Sequence, residues 1–212
     1  MIISHNHRMY NRRKIGKGRF NGAYYYSVEI CRYIIPFVKT TRNWVTIHVP
    51  GVCADHSIVF IHNNLRPDRY DWMREYKDLV LVCGIPETCA KVAHLGQAIY
   101  LPLSVNVSEV EKYRCVKTKE IAYVGRKAKR RDIPFPIETE FIEGLPRDQL
   151  LAKMAMYKKV YTVGRCAIEA KILGCEVLPY DPRFPDPERW KVTDCAQAVD
   201  ILQEQLNMID GV

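Results

Sequence analysis

The sequence predicts an α/β protein built as two halves of similar grammar, and three observations predict it. Leu79 to Cys83 (LVLVC) is an unbroken apolar run bounded by turn residues, the pattern of a strand buried on both faces of a parallel sheet. A helix and a second strand follow it within about 25 residues, the size of a compact strand-helix-strand unit. A second series with the same order begins at Ile121, beyond a charged stretch at 104–119 that has poor periodicity.

Each element has its own warrant. Tyr26, Ile30, Tyr33, Ile34 and Phe37 recur at steps of three and four, so residues 22–38 read as an amphipathic helix that Pro36 brings to an end. Two short β-rich runs, Trp44 to Val49 and Ile58 to His62, are bounded by Pro50-Gly51 and Asn63-Asn64. After Leu79 to Cys83, Gly84 turns the chain, Pro86 suits a first helical turn, and Gly96 is expected to close that helix as a left-handed cap before the strand Ala98 to Leu101. In the second half, Ile121 to Val124 is a strand and Phe141-Ile142 a short one. Arg147 to Tyr157 is a helix with Leu150, Leu151 and Met154 on one face. Val160 to Val163 is a strand, Gly164 a turn, Arg165 to Leu173 a helix closed by Gly174, and Glu176 to Leu178 a further strand. Thr193 to Ile209 is a helix with Val199, Leu202 and Leu206 on its apolar stripe. The expected domains are residues 1–110 and 111–212, the second carrying this helix.

The bulk properties narrow the function classes. The 212 residues suit one large or two small domains, and 48% hydrophobic with 26% charged residues excludes disordered, fibrous and collagen-like chains. No run approaches the ~18 apolar residues of a membrane span, and the amino end lacks a signal-peptide core, so a cytoplasmic protein is expected. The net charge of +8 favours anionic partners, nucleic acid among them. It concentrates in Arg8 to Arg19 and Arg126 to Arg131, each beside a glycine-bearing turn. Eight cysteines are scattered without a C-x-x-C pair, which suits buried thiols, and His5 and His7 have no further ligand at a recognisable spacing, so no metal is expected.

In parallel sheets ligands bind beyond the carboxyl ends of the strands, where loops run into helix amino termini. Three such loops carry chemistry. Gly16 to Gly22, with Gly18, Asn21 and Gly22, allows close backbone approach ahead of a helix. Gly125, Arg126, Lys127 and Lys129 offer a guanidinium fork and point charges to a phosphate, or form an ordinary basic loop. Gly164, Arg165 and Cys166 form a glycine-to-helix turn, and Glu169 one turn on either accepts hydrogen bonds from a ribose diol or serves as a routine helix-end carboxylate.

The order and spacing of these pieces resemble the GT-B glycosyltransferases. Residues 78–114 (DLVLVCGIPETCAKVAHLGQAIYLPLSVNVSEVEKYR) resemble the last strand-helix-strand of their amino domain. IAYVGRKAKRR at 121–131 resembles the strand opening their carboxyl domain, and residues 145–181 resemble their nucleotide-sugar signature, the likeness running over about residues 78–181. The resemblance implies two small Rossmann-like domains facing a cleft and transfer of a sugar from a nucleotide-sugar co-substrate, without metal or other cofactor. The acceptor it leaves unspecified, with DNA as one candidate. It implies that Arg126 with Lys127 or Lys129 contacts the donor diphosphate and that Gly164, Arg165 and Cys166 line the phosphate turn. Glu169 would hold the ribose, Gly18 to Gly22 would reach the donor from the amino domain, and His62 would face the sugar. His62 or Asp55 would serve as base in an inverting reaction. Two departures stand out: Tyr161 occupies the place where many retaining members carry a glutamate, and the chain is much shorter than the usual member. A noncatalytic nucleotide- or nucleic-acid-binding protein is the alternative, supported by the aromatics among basic residues in Arg8 to Tyr26.

Overall fold

The computed structural model describes residues 1–3, 22–46, 53–61, 70–125 and 133–211. They form two α/β units, each around its own parallel sheet. The first unit takes the described residues up to Leu103 together with the carboxyl helix, and the second is Ser104–Asp194.

The first sheet joins β1 (Ile2–Ile3), β2 (Asn43–Val45), β3 (Ser57–Ile61), β4 (Leu79–Cys83) and β5 (Gln97–Tyr100) in chain order, all parallel. Alternation along the strands divides its apolar side chains between two faces. On one, Val45, Val59 and Leu81 stand in register across neighbouring strands and bury Tyr70, Met73, Val92 and Leu95. On the other, Trp44 stacks on Phe60 at 6.2 Å between ring centroids. There Tyr26 of α1 (Gly22–Tyr33) meets Phe60 edge-on, and Ser27 shares a 2.7 Å hydrogen bond with Thr46. A 3-10 turn at Ile35–Phe37 follows α1, as Pro36 requires.

Gly96 has a different role from the one expected. Helix α2 (Pro86–Val92) ends four residues earlier, and a Cβ at Gly96 would lie 2.5 Å from the carbonyl oxygen of Leu79. Close approach to β4, not a left-handed cap, excludes a side chain there.

The carboxyl helix also departs from expectation, for it belongs to the first unit. Helix α6 (Cys195–Asp210) buries Leu202 and Leu206 of the expected stripe together with Cys195 and Ala198, and leaves Val199 half-buried. Its Gln203 pairs with both backbone groups of Lys39, at 2.7 and 3.1 Å, and Asp210 ends at Arg42. Arg42, 5% exposed, donates to Asp210 at 2.6 Å and to the carbonyl and carboxylate of Asp78 at 3.0 Å each. One buried guanidinium thus ties the amino ends of β2 and β4 to the last turn of α6.

The second unit opens with α3 (Val107–Glu111), a short helix inside the stretch expected to be irregular. The Asn106 side chain caps it by accepting from the Glu109 N–H at 3.1 Å. The sheet has the order β7-β6-β8-β9: β6 (Lys119–Val124), β7 (Glu140–Ile142), β8 (Tyr157–Tyr161) and β9 (Glu176–Leu178), all parallel. Between them run α4 (Arg147–Met154) and α5 (Arg165–Ile172). The usual right-handed rule for parallel crossovers puts α4 and α5 on the same face of this sheet. Tyr123, Phe141 and Tyr161 stand in register, and Phe135 packs on all three and on Tyr180, with centroids 5.0–6.2 Å apart. At the opposite end, Lys117 donates to the carbonyls of Ala155 and Leu173 at 2.8 and 2.7 Å, placing a cation at the negative ends of α4 and α5.

Glu140 supplies a test of this packing. Its carboxylate takes Lys119 and Lys153 at 2.7 Å each; Lys119, then Lys153 and the Tyr157 hydroxyl, hold its carboxyl down to about 2. A depressed folded value means a stabilisation fully present above the ordinary glutamate value of about 4.3 and lost as pH falls through the folded one. Denaturant unfolding of parent and Glu140→Gln should therefore differ at neutral pH and converge between about pH 4 and 2. A difference that stays constant with pH would contradict this assignment.

Candidate functional site

In the second sheet the chain leaves β6 toward β7 on one side and later returns to β8 on the other. The carboxyl edge between them is a switch point, where loops diverge and leave room for a ligand. Three connections meet at this edge. Gly125 follows β6 and donates to the Ile142 carbonyl at 3.3 Å. The loop after β7 leads through Gly144 and Pro146 to Arg147 at the start of α4. Beyond β8, Gly164 adopts φ 66°, ψ −138°, a conformation open essentially to glycine alone, and turns the chain into α5 with no side chain capping that helix end.

Glu169 lies at the centre. It is 1% exposed, and its Oε1 accepts from Arg165 Nε at 2.6 Å and from Arg147 Nη1 at 2.5 Å. Burial pushes its carboxyl up, but the charges and hydrogen bonds of Arg165 and Arg147 outweigh that and hold it below the usual range. Arg165 is itself 8% exposed. Two guanidiniums share one carboxylate oxygen between the amino ends of two helices, where the helix dipoles favour an anion. Two residues before Gly164, the buried Thr162 hydroxyl has no hydrogen-bond partner.

Further along the edge, burial and the Tyr123 hydroxyl push the Tyr180 phenol up, so it remains a neutral hydrogen-bonding group near Cys166. Asp181 receives Arg183 through Nε at 2.9 Å and Nη2 at 2.6 Å. Phe184 lies beneath both Arg183 and Arg189, with the guanidinium carbons 5.5 and 4.9 Å from its ring centre.

The structure thus brings together Gly164, Arg165, Cys166 and Glu169 of the expected site. Gly22 is the first residue of α1. Gly18, Asn21, His62, Arg126, Lys127 and Lys129 lie outside the described residues. Asp55 stands before the amino end of β3, where its Oδ1 accepts from the Lys77 N–H at 2.7 Å and its carbonyl from Asn43 at 3.1 Å. That is the edge opposite to the strand carboxyl ends, so Asp55 is a turn residue there. Tyr161 puts a ring, packed 5.0 Å from Phe135, at the place where many retaining members of the family it resembles carry a glutamate. Arg147 is the residue the sequence reading missed. The signal was present: a short strand, Gly144, then Pro146-Arg147 opening a helix is the same strand-to-helix grammar that singled out Arg126 and Arg165.

Among the described residues no group of three or more His, Cys, Asp and Glu could hold a metal ion, and no helix is long and apolar enough to cross a membrane. Comparison of the chain with protein-family models, with curated proteins and with solved structures finds no match.

The geometry predicts a stability cost for Glu169→Gln. Neutralising the carboxylate leaves two guanidiniums without their countercharge in a water-poor site, which costs about 2–3 kcal/mol. Chemical denaturation should show a lower midpoint with an unchanged slope. Parent-like stability would mean that Glu169 is not holding Arg147 and Arg165.

Proposed function

We propose that the chain is a nucleotide-sugar-dependent glycosyltransferase of the GT-B type, with its donor held at the carboxyl edge of the second sheet. The observation that supports this most is the convergence there of Gly125, the glycine-only turn at Gly164 and the buried Arg147–Glu169–Arg165 set. The two helix amino ends and Arg165 stabilise the diphosphate, which is both the handle for binding and the leaving group. Arg126, with Lys127 or Lys129, adds charge from the loop after β6. No step requires a metal, because the developing negative charge falls on groups already fixed in place. Glu169 acts through the two arginines, a positioning role in place of direct contact with the ribose. The two-domain arrangement of the family and an acceptor such as DNA belong to the same proposal.

A noncatalytic nucleotide- or nucleic-acid-binding protein is favoured by two features. Tyr161 removes a carboxylate that many retaining members use, and Phe184 between Arg183 and Arg189 offers a stacking surface with positive charge. The readings separate on salt: binding along a phosphate backbone weakens steeply as salt rises, and donor binding at one edge does so much less.

The test is a thermal-stability screen of UDP-, GDP- and ADP-sugars. A cognate donor at 100-fold its dissociation constant should add about 2.7 kcal/mol of stability. Arg126→Ala should weaken its binding by about 1.5–3 kcal/mol with little change in the unliganded protein. Stabilisation by none of the donors, or equal affinity of parent and Arg126→Ala, would contradict the assignment.

A further inference from the structure

A second chemical constellation lies in the first unit, at the amino edge of its sheet. The Nδ1 of His56 is 2.5 Å from Asp78 Oδ2, and its Nε2 is 3.1 Å from the hydroxyl of Thr41. Because an aspartate carboxylate only accepts, Nδ1 carries a proton, and in the neutral form of the ring Nε2 then presents its lone pair to the hydroxyl. The order hydroxyl, imidazole, carboxylate is the relay that activates an oxygen nucleophile.

Three further observations set it apart from a casual surface contact. His56 and Asp78 are the non-glycine residues with positive φ among the described residues, 53° each, so the backbone carries strain at the two positions that orient the ring. Arg42, buried, grips Asp78 through its other oxygen, Oδ1, and its carbonyl at 3.0 Å each, which fixes the carboxylate from behind. The front is open: the side chains of His56 and Asp78 are 44% and 51% exposed, and Thr41 is exposed as well.

We propose that Thr41, His56 and Asp78 form a nucleophilic centre that takes an acyl group from a small activated ester or thioester. Thr41 Oγ1 attacks the carbonyl carbon as its proton passes to His56 Nε2. The bond to the leaving alcohol or thiol breaks, and His56 returns the proton to that group. A water molecule then attacks the acyl carbon as His56 Nε2 accepts its proton; the bond to Thr41 Oγ1 breaks and His56 returns that proton to Oγ1, so the enzyme ends as it began, with one carboxylic acid and one alcohol or thiol formed. Asp78 holds the ring and balances the imidazolium, and Arg42 is a positioning residue. The centre is independent of the donor site, which belongs to the other unit.

The full chain, incubated with p-nitrophenyl acetate, should show a burst of nitrophenolate and, by mass spectrometry, an acetyl group on Thr41. Thr41→Val and His56→Asn should slow that burst about 100-fold or more, the scale of a lost nucleophile or general base, while acetylation of surface lysines continues. Asparagine is chosen at 56 because it tolerates the left-handed backbone, and Thr41→Ser keeps the hydroxyl should valine disturb the fold. Acetyl groups found only on lysines in the parent, or an unchanged rate at Thr41 in His56→Asn, would overturn the proposal.

Discussion

The second unit is organised by a carboxylate that water does not reach. Burying Glu169 alone would cost several kcal/mol, and the protein offsets that cost with two guanidiniums drawn from the first residues of two helices. The requirement is mutual, since neither arginine side chain would stay at this depth without the carboxylate. Strand order, the turn at Gly164 and the start points of α4 and α5 are therefore coupled through one oxygen atom. The consequence is chemical as well as structural: two helix amino ends are held together at the edge of the sheet where its topology leaves space.

The first unit uses the same logic at the opposite edge. Arg42 gathers Asp78 and Asp210 at the amino ends of β2 and β4, so charge closes the sheet end there and draws the final helix back to the unit that begins the chain. This network also orients His56 through Asp78, linking the stability of that edge to the proposed Thr41–His56–Asp78 relay.

Much of the fold was legible because buried parallel strands leave an unbroken apolar signature. Leu79–Cys83, buried along its whole length, coincides with a strand; the short Glu176–Leu178 was legible from its place after the Gly174 turn, and Gly164 marked a turn of its own. What escaped notice depends on contacts distant in sequence. Tyr157–Tyr161 reads poorly as a strand because Lys158 and Lys159 are exposed, so the boundary with α4 fell three residues late. Gly96 looked like a cap, and only the position of the Leu79 carbonyl shows otherwise. The assignment of α6 rests on Lys39 and Arg42, more than 160 residues away, which no local pattern contains. The site was legible in the same measure: glycine turns ahead of helices marked Arg165 and Glu169, but the pairing of Glu169 with Arg147 is visible only once β7 and β8 flank the same strand.

The central claim is that the carboxyl edge of the second sheet recognises a nucleoside diphosphate, and amide hydrogen exchange with UDP and GDP measures it most directly. Added nucleotide should slow exchange at Gly125, across Gly164 to Ala167 and at the start of α4, while the amino edge of the first sheet is unchanged. Unaltered exchange at Gly164 to Ala167 at saturating nucleotide, or protection confined to other parts of the chain, would contradict the account.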